Sequence, residues 1–373
     1  MPPVKPMLAK PAAKLPTVDL AFEPKWDGYR CIVFRDGDEV LLGSRNEKPL
    51  NRYFPEMMDP LRACLPLRCV VDGELFVAVD GRLDFDALGQ RIHPAESRVN
   101  MLAEQTPAEF VAFDLLALDD ESYVDRPFRE RRAALEAIAG AFEPPVHLAP
   151  STLDHDQAME WFDRFEGAGL DGLIVKPLDD RYQFGKRAQF KIKHARTADC
   201  VVAGYRMHKS GDGVGSLILG LYADDGQLWH VGVAASFTAK RRKELIDEVG
   251  PLELTDIAEH PWSSWMDAEA NADGSMPGAP NRWNGASGRD HSWIPLRPER
   301  VVEVSYTWAT AGRFRGTTKM LRWRPDKDPQ VCSTDQLAEP DPVPIAEVLA
   351  THPPKVGGSP DCQPSSRMTS PSP

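Results

Sequence analysis

Residues 21–30 read AFEPKWDGYR and place a single lysine, Lys25, between an apolar, strand-like start and a turn formed by Asp27 and Gly28. A lysine in such a position is commonly a solvated surface cation. It acts as a nucleophile only when it is deprotonated, which requires desolvation or neighbouring cations that lower its pKa. Arg30 follows closely enough to supply part of such a field. The stretch therefore has two interpretations, a surface lysine in a strand–turn element or a covalent nucleophile.

The bulk composition is that of an ordinary folded protein. The chain has 373 residues, of which 42% are hydrophobic and 27% are charged, and this length favours two domains at roughly 100 to 200 residues each. No segment approaches the ~18 consecutive apolar residues that a membrane span needs, so we expect a cytoplasmic protein with no membrane partner. The six cysteines form no Cys-x-x-Cys pair, which argues against a zinc cage or a disulfide framework.

The net charge of −12 argues against a nucleic-acid partner, but the basic residues are clustered. Residues 181–209 contain eight Lys or Arg residues and one acid, Asp199, and residues 313–327 form a second basic cluster opposed only by Asp326. A basic groove acts over about a Debye length, ~8 Å at physiological salt, so the local charge matters more than the sum. Both clusters suit the phosphates of a nucleotide or a nucleic acid.

Periodicity divides the chain into two folded parts and a tail. Apolar alternation around Asp36-Gly37 and Asp80-Gly81 predicts hairpins, and RERRAALEAIAGAF and HDQAMEWFDRFEGAG have helical spacing. From residue 199 short strands predominate, as in a small oligonucleotide-binding (OB) barrel. A Pro- and Ser-rich composition then predicts disorder. We predict an α+β domain over residues 1–198, an all-β OB-fold domain over 199–328 with an extended loop at 262–293, and a disordered tail over 329–373.

Three short motifs in the first half carry candidate ligands. VVDGELFV places Glu74 just after a turn, where a carboxylate suits magnesium or a ribose hydroxyl; an acidic hairpin face is the alternative. GSRN places Arg45 at a strand end. FVAFDLL places Phe113 on a buried strand, where its ring offers a stacking surface to a purine, although core packing is the commoner use.

Two later stretches add charged residues. GLDGLIVKP contributes Asp171 and Lys176, and KRAQFKIKH contributes Arg187, Lys191 and Lys193. Alternation predicts that Lys191 and Lys193 share one face of a strand. Two lysines side by side with no acid opposite would repel each other, and a shared anionic ligand such as an α-phosphate resolves that conflict.

A last basic motif, LRWRPDKDP, places Arg322 and Arg324 on one strand face, which predicts a phosphate clamp. Taken in order, KWDG, SRN, DGE, FD, DGLIVK, FKIK and RPDK resemble the motif set of the covalent nucleotidyltransferases, which include ATP-dependent DNA ligases, mRNA capping enzymes and RNA ligases. The resemblance spans residues 20–328, and the layout is similar to the short actinobacterial C-type ligases. It implies an ATP-grasp-like α+β adenylation domain followed by an all-β OB-fold domain.

The resemblance implies an ATP-dependent DNA ligase that seals nicks in duplex DNA during DNA repair. Lys25 would attack the ATP α-phosphate to form lysyl-AMP, AMP would pass to the 5′-phosphate of a nick, and the 3′-hydroxyl would displace AMP. The implied cofactors are ATP and Mg²⁺, with Mn²⁺ as a substitute. The implied partners are nicked double-stranded DNA and DNA-repair proteins, and the enzyme is expected to be a monomer in the cytoplasm, associated with the nucleoid.

The resemblance also implies roles for single residues. Catalysis would depend on Lys25 and on the RPDK motif, whose members Arg324, Asp326 and Lys327 would swing in with the second domain and orient the leaving pyrophosphate. Glu74 and Asp171 would hold the metal, although Asp171 stands where most ligases have glutamate, so its contact is less secure. The ATP-binding set would comprise Glu23, Arg30, Arg45, Glu74, Phe113, Lys176, Arg187, Lys191 and Lys193.

Alternative functions are weighed against the same residues. An RNA ligase or an mRNA-capping-type guanylyltransferase is the nearest alternative, but SRN, FDLL and FKIKH look more like DNA ligases. A NAD-dependent ligase is disfavoured because that family carries an extra N-terminal domain and a four-cysteine zinc finger. A nucleic-acid-binding barrel protein with a degenerate nucleotidyltransferase domain is the non-enzyme alternative, and the intact Lys25, Glu74, Lys191 and Lys193 argue against it.

Overall fold

The structure is a computed structural model that describes residues 4–12, 14–263, 292–310, 312–337 and 340–351. The chain divides into two compact units. One comprises Met1–Ile192 and Pro342–Pro373, and the other comprises Lys193–Asp341. Most of the predicted loop at 262–293 lies outside the described residues. Among those that are described, no helix combines the length and apolar character that crossing a membrane requires.

Strands outnumber helices in the described chain. The strands are β1 Leu8–Pro11, β2 Leu20–Pro24, β3 Tyr29–Asp36, β4 Glu39–Ser44, β5 Arg68–Val79, β6 Arg82–Leu83, β7 Ala108–Leu118, β8 Glu121–Ser122, β9 Val146–Leu148, β10 Leu173–Pro177, β11 Arg187–Ile192, β12 Arg196–Met207, β13 Val214–Tyr222, β14 Leu228–Ala235, β15 Ile294–Pro295, β16 Val301–Tyr306, β17 Ala309–Thr310, β18 Arg313–Phe314 and β19 Lys319–Trp323. The α-helices are α1 Met58–Cys64, α2 Phe85–Gln90, α3 Glu96–Gln105, α4 Phe128–Ile138, α5 His155–Arg164, α6 Ala239–Val249 and α7 Ile345–Ala350.

The first unit is built on two sheets. One has the order β1-β11-β10-β2, and the other has the order β4-β3-β5-β7-β8, with β6 beside β5 and β9 beside β7. The predicted hairpins around Asp36-Gly37 and Asp80-Gly81 are confirmed as the β3–β4 and β5–β6 turns. Because β2 lies in the first sheet and β3 in the second, the KWDG turn connects the two sheets. Lys25 therefore lies where the chain passes from one sheet to the other.

The second unit is a barrel-like sheet with the order β14-β13-β12-β16-β19, and β15 pairs with β12. A bridge between Ala234 and Thr318 brings β14 next to the segment that leads into β19. The interior is apolar and includes the fully buried Leu217, Leu219 and Val302. The α+β domain followed by an OB-fold domain is thus confirmed as the architecture of the described chain.

The bounds of the two compact units differ from those of the predicted domains. The second unit begins at Lys193 rather than 199 and extends to Asp341. Residues that were expected to be disordered form 3-10 helices at Pro329–Val331 and Thr334–Leu337 and the helix α7. The average composition of the tail hides a few apolar residues that supply anchors, and residues 352–373 lie outside the described residues.

Helix α7 packs on the first unit. Ile345 and Val348 are buried in the same core as Phe22 and Val175, and the Ile345 backbone N–H donates to the Gly81 carbonyl at 2.7 Å. The barrel unit is therefore inserted, in sequence, between two segments of the first unit.

Candidate active site

Backbone hydrogen bonds hold Lys25 beside Asp171. Pro24, at the end of β2, pairs with Leu173 at the start of β10. Beyond this pair, the Lys25 N–H donates to the Gly172 carbonyl at 2.8 Å, and the Asp171 N–H donates to the Lys25 carbonyl at 3.2 Å. Gly172 has a φ of 127°, which favours glycine at this position. The result is an ion pair of 2.9 Å between Lys25 Nζ and Asp171 Oδ2.

The KWDG turn rests directly on β5. A Cβ atom added at Gly28 would lie 2.2 Å from the Leu75 carbonyl oxygen and 2.9 Å from Glu74 Cγ, so only glycine permits this approach. Trp26 is buried and stacks on Phe76 with ring centroids 5.2 Å apart. Gly28 and Trp26 therefore bring the KWDG turn into contact with β5, the strand that carries Glu74.

The charges around Lys25 favour its protonated form. Burial lowers the pKa of the Lys25 ammonium, but the carboxylates of Asp171, Asp27 and Glu74 together raise it by more, so the pKa lies above its ordinary value. A protonated lysine cannot attack phosphorus. This arrangement therefore favours a protonated Lys25 amine, and the negative charge of its neighbours would have to be reduced before the amine could act as a nucleophile.

Arg30, which the sequence suggested as a cation beside Lys25, is paired with a carboxylate in the structure. Its guanidinium donates to the fully buried Asp72 through Nε at 2.6 Å and Nη2 at 2.5 Å. Asp72 also accepts from the Tyr182 hydroxyl at 2.6 Å. Since Asp72 compensates its charge, Arg30 provides a fixed cation that lies 4.6 Å from the centroid of the Phe113 ring.

The carboxyl group of Glu74 has a pKa near neutral pH. It lies on β5, directly opposite Arg30 on β3. Burial raises the pKa of the Glu74 carboxyl to about 7, and the opposing effect of Arg30 and Lys25 only partly offsets this. Near neutral pH, a cation that binds this carboxylate would draw it fully into the ionised form.

Glu23 and Lys176 form a buried ion pair. Their Oε2 and Nζ atoms are 2.7 Å apart, and the Lys176 ammonium also donates to the Phe113 carbonyl at 3.0 Å. Burial raises the pKa of Glu23 and lowers that of Lys176. The other Glu23 oxygen, Oε1, is buried without a hydrogen bond to any described residue. Because protein groups already engage its ammonium, the predicted ATP contact of Lys176 stays a prediction.

Ile174 is a candidate site residue that the sequence did not single out. In the first sheet, it lies directly opposite Glu23 on one side and Lys191 on the other. Its neighbours Leu173 and Val175 are buried, whereas Ile174 is only half-buried. The sequence LIVKP could have identified Ile174, because side chains alternate between the two faces of a strand. Ile174 and Lys176 therefore lie on the face opposite Leu173 and Val175. An accessible apolar side chain between charged neighbours offers a surface for a flat ligand.

The remaining predicted phosphate ligands are not gathered on one strand. β11 ends at Ile192, so Lys193 falls outside the strand and begins the second unit, which corrects the predicted shared face with Lys191. Arg187 is exposed at the start of β11, and Arg45 is exposed in the turn after β4. For these residues the ATP contacts stay predictions.

Asp171 and Glu74 have the donor chemistry that Mg²⁺ prefers. Magnesium is commonly bound by one or two carboxylates, with substrate phosphates and water completing the octahedron. The described residues contain no cluster of three or more His, Cys, Asp or Glu side chains suited to a metal. The pair that flanks Lys25 fits a cation shared with a nucleotide.

The RPDK motif follows β19 in the second unit, and its cations bind carboxylates. Arg324 Nη1 donates to both oxygens of Asp199 at 2.9 and 2.8 Å, and Lys327 Nζ donates to Asp199 Oδ2 at 2.6 Å. Arg324 also donates to Asp326 through Nε and Nη2. This guanidinium holds the pKa of Asp326 well below its usual range, at about 2. Asp199, the one acid in the basic cluster at residues 181–209, therefore binds two cations of the basic cluster at residues 313–327.

The predicted clamp of Arg322 and Arg324 is not formed in this structure. Arg324 lies beyond the end of β19 and turns toward Asp199. Arg322 instead donates to Glu303 on β16 at 2.5 Å. The two guanidinium groups therefore bind different carboxylates, Arg322 that of Glu303 and Arg324 those of Asp199 and Asp326.

Comparison with known proteins gives one consistent result. Residues 6–193 match the family model described as "ATP dependent DNA ligase domain", and residues 210–327 match "ATP dependent DNA ligase C terminal region". DNA ligase C of Mycobacterium tuberculosis is 55% identical over 354 residues, which cover 94% of this chain and 98% of that protein. DNA ligase C2 of Mycolicibacterium smegmatis is 55% identical over 344 residues, covering 91% and 96%.

A solved structure also resembles the fold. A Lig E DNA ligase, described in a study of DNA binding with a minimal scaffold, matches with a TM-score of 0.54 at 16% identity, covering 86% of this chain and 99% of that one. At this identity the likeness concerns the fold alone. The sequence matches carry the family assignment, and the chain belongs to the family of ATP-dependent DNA ligases.

Proposed function

We propose that this chain seals nicks in double-stranded DNA in three steps, with Lys25 as the residue that carries AMP. The observation that carries the proposal is the position of Lys25, whose Nζ lies 2.9 Å from Asp171 Oδ2 and whose turn rests on Glu74. A nucleophile bracketed by two carboxylates suits nucleotidyl transfer, which depends on positioning and on cations that stabilise phosphate charge. The relatives named DNA ligase C support the same activity.

Activation of Lys25 follows from the charges around it. If Asp171 and Glu74 held a divalent cation, their negative charge would be offset and they would raise the pKa of the ammonium less, which would give more weight to the lowering effect of burial. Lys25 could then lose its proton and attack the α-phosphate, with pyrophosphate as the leaving group. A bound cation would also supply charge neutralisation at that phosphate. We propose Mg²⁺ for this role, with Mn²⁺ as a substitute.

The nucleotide base has a matching surface in the first unit. The Glu23–Ile174–Lys191 row offers strand backbone, an apolar side chain and a cation in succession. We propose that the base contacts Ile174 and the Glu23 backbone while Lys191 faces the phosphates. The Phe113 ring is buried and lies under Arg30 and Lys176, so its predicted stacking contact requires these cations to leave part of the ring accessible.

The cellular setting is proposed on family grounds. We propose a monomer that acts on nicked duplex DNA in DNA repair, in association with the nucleoid and with repair proteins. The relatives named above are DNA ligases, and they favour DNA over the RNA ligase and guanylyltransferase alternatives.

A labelling experiment tests the function. The protein is incubated with Mg²⁺ and α-labelled ATP or GTP, and then nicked DNA is added. We expect label from ATP on the protein, release of that label by nicked DNA, and no label on Lys25→Ala. Lys48→Ala, an exposed lysine in the turn after β4, is the matched control and should label like the parent protein. Label from GTP and not from ATP would contradict the proposal.

A further inference from the structure

A C-terminal segment of the first unit, residues 342–350, packs on the 3-10 helix Phe165–Ala168, and we call this segment the strap. The Val343 N–H donates to the Gly167 carbonyl at 3.1 Å. Val348 is fully buried in the same core cluster as the first and last residues of that helix. The strap is therefore attached to the 3-10 helix both by a backbone hydrogen bond and by a shared core.

This 3-10 helix leads directly to the partner of the proposed nucleophile. It ends at Gly169, whose φ is 87° and where an added Cβ atom would lie 2.9 Å from the Leu83 carbonyl oxygen. Leu170 is buried, and its N–H donates to the Phe165 carbonyl at 3.3 Å. The next residue is Asp171. A displacement of the 3-10 helix would therefore reach Asp171 through only two residues, both of which are tightly packed.

Asp171 is restrained from both directions along the chain. After it, β10 and the hydrogen bond from the Lys25 N–H to the Gly172 carbonyl hold the backbone. Before it, the 3-10 helix contacts the two-residue strand β6 and the strap. The strap also holds the turn before β6, because the Ile345 N–H donates to the Gly81 carbonyl at 2.7 Å. One short segment thus links both structures that support the approach to Asp171.

We propose that the strap positions Asp171 beside Lys25, and that Val348 is a positioning residue for lysine adenylation. The inference rests on the proposed function and adds to it a determinant far from Lys25 in the sequence. Close-packed interiors transmit strain, so a cavity under the 3-10 helix would be felt at the residues that follow it. A carboxylate that is oriented in advance interacts with its partner without reorganisation.

The distance dependence of the ion pair sets the size of the expected effect. Lys25 Nζ and Asp171 Oδ2 are 2.9 Å apart. Lengthening this distance by about 1 Å weakens the attraction by roughly a quarter, which at an effective dielectric constant of about 20 changes the acid dissociation constant of the ammonium by about tenfold. Both side chains retain some contact with solvent, which screens the pair. We therefore expect a change of about threefold to tenfold.

The first unit provides a matched control for Val348→Ala. Val99 is also a helical valine, on α3, and it is 1% exposed. It belongs to a different core cluster of the same unit, which does not include the 3-10 helix or the strap. Val99→Ala therefore removes the same two methyl groups from an equally buried helical position. The two variants differ in whether the cavity lies beside the path to Asp171.

The first measurement needs neither metal nor nucleotide. Modification of Lys25 by an amine-acylating reagent is followed as a function of pH, by mass spectrometry of the peptide that contains it, and thermal unfolding is recorded for each variant. A displaced Asp171 raises the pKa of Lys25 less, so below that pKa the modification of Val348→Ala should be about threefold to tenfold faster than that of the parent protein. The profile should move to lower pH with its plateau unchanged. Val99→Ala should stay within about twofold.

The second measurement is the Mg²⁺ concentration that gives half-maximal single-turnover formation of lysyl-AMP. Because Asp171 is a proposed metal ligand, this concentration should rise by about threefold to tenfold in Val348→Ala. It should stay within about twofold of the parent value in Val99→Ala.

Three results would overturn the proposal: the same pH profile in both variants, equal changes of the Mg²⁺ requirement, or a uniform increase in modification at every pH, which would indicate easier access of the reagent. If Val348→Ala does not fold, Ile345→Val removes a single methylene from the strap and must shift the profile in the same direction. A parent protein that takes no label from ATP refutes the ligase function. The metal-free profile still tests the strap in that case, so the two failures are distinguishable.

Discussion

Two lysine–aspartate pairs, one in each unit, look alike but have opposite requirements. Lys25 and Asp171 are 2.9 Å apart with side chains 18% and 16% exposed, whereas Lys327 and Asp199 are 2.6 Å apart with side chains 30% and 11% exposed. In its proposed role Lys25 would have to lose its proton to act as a nucleophile. Lys327 would have to keep its proton to make the phosphate contact that the RPDK motif predicts. The ion pair alone therefore does not determine what the lysine does.

The surrounding charges make the difference. Near Lys25, the carboxylates of Asp27 and Glu74 add to that of Asp171, and they exceed the single positive charge. Near Lys327, the two cations of the RPDK motif face two carboxylates, Asp199 and Asp326. An excess of carboxylates suits a divalent cation, and a cation bound there would lower the pKa of the amine. A balanced cluster preserves the charge of its lysine and fixes its direction.

The largest effect should come from Lys25→Arg. The guanidinium keeps the positive charge and can pair with Asp171, but it is not deprotonated at working pH and cannot form the phosphoramidate. Nick sealing should fall by at least about a thousandfold, which corresponds to the loss of a covalent step. Multiple-turnover sealing of a labelled nicked duplex measures this, with Lys48→Arg as the control. Retention of a tenth of the parent rate would show that Lys25 contributes charge only.

Asp171→Asn tests the carboxylate excess. Removing this charge should lower the pKa of Lys25, because Asp171 is the largest effect that raises it. The same change removes a proposed metal ligand, so the maximal rate of adenylation should fall by about a hundredfold. In the metal-free protein the Lys25 amine should nevertheless lose its proton at lower pH, since a group with a lower pKa is deprotonated earlier. An unchanged pKa of Lys25, read from the pH dependence of its modification by an amine reagent without metal, would contradict this explanation.

Glu74→Gln tests the same excess through stability. In the folded protein the pKa of Glu74 is raised from 4.5 to about 7, so between these values the folded state binds more protons at this site than the unfolded state does. Stability must then fall as the pH rises through this window, by up to about 3 kcal/mol. Glu74→Gln should remove that dependence. Urea unfolding from pH 5 to 8 without metal measures it, and equal slopes for the two proteins would refute the raised pKa.

The smallest effects should distinguish the two pairs directly. A double-mutant cycle with Lys25→Met and Asp171→Asn should give a coupling free energy of about 2 kcal/mol, because a partly desolvated pair interacts strongly. The equivalent cycle with Lys327→Met and Asp199→Asn should give about 1 kcal/mol, since its lysine is more exposed and Asp199 retains Arg324. Chemical denaturation of each set of four proteins gives both values. Equal coupling free energies would show that the two ion pairs do not differ as their exposure and neighbouring charges predict.

Local patterns predicted the elements of the site better than its partners. The hairpins and the lysine turn followed from alternation and from Asp-Gly signals, and the ordered motifs pointed to Lys25, Glu74 and Asp171 together. The Arg30–Asp72 pair was missed because strand register, not local sequence, brings the two side chains together: Arg30 lies opposite Glu74 on β5, two residues from Asp72. Asp199 was noted as a lone acid, but its partner Arg324 is 125 positions away. Contacts of that separation leave no local signal.

Composition was misleading where a few residues decide the structure. Residues 329–351 are rich in proline and were expected to be disordered. Leu337 nevertheless packs into the barrel core, and Ile345 and Val348 pack into the first unit. An average over the segment hides these anchors, because only a few buried apolar side chains are needed to order a short helix on an existing core.

Lys25, and no other lysine, is expected to carry AMP in the adenylated protein. Mass spectrometry of peptides from the protein after incubation with ATP and Mg²⁺ tests it most directly, under conditions that preserve the acid-labile P–N bond. We predict a single adenylated site within the peptide that contains AFEPKWDGYR, at Lys25, and loss of that modification when nicked DNA is added. AMP on another lysine, or an unmodified Lys25 in a protein that seals nicks, would contradict the account.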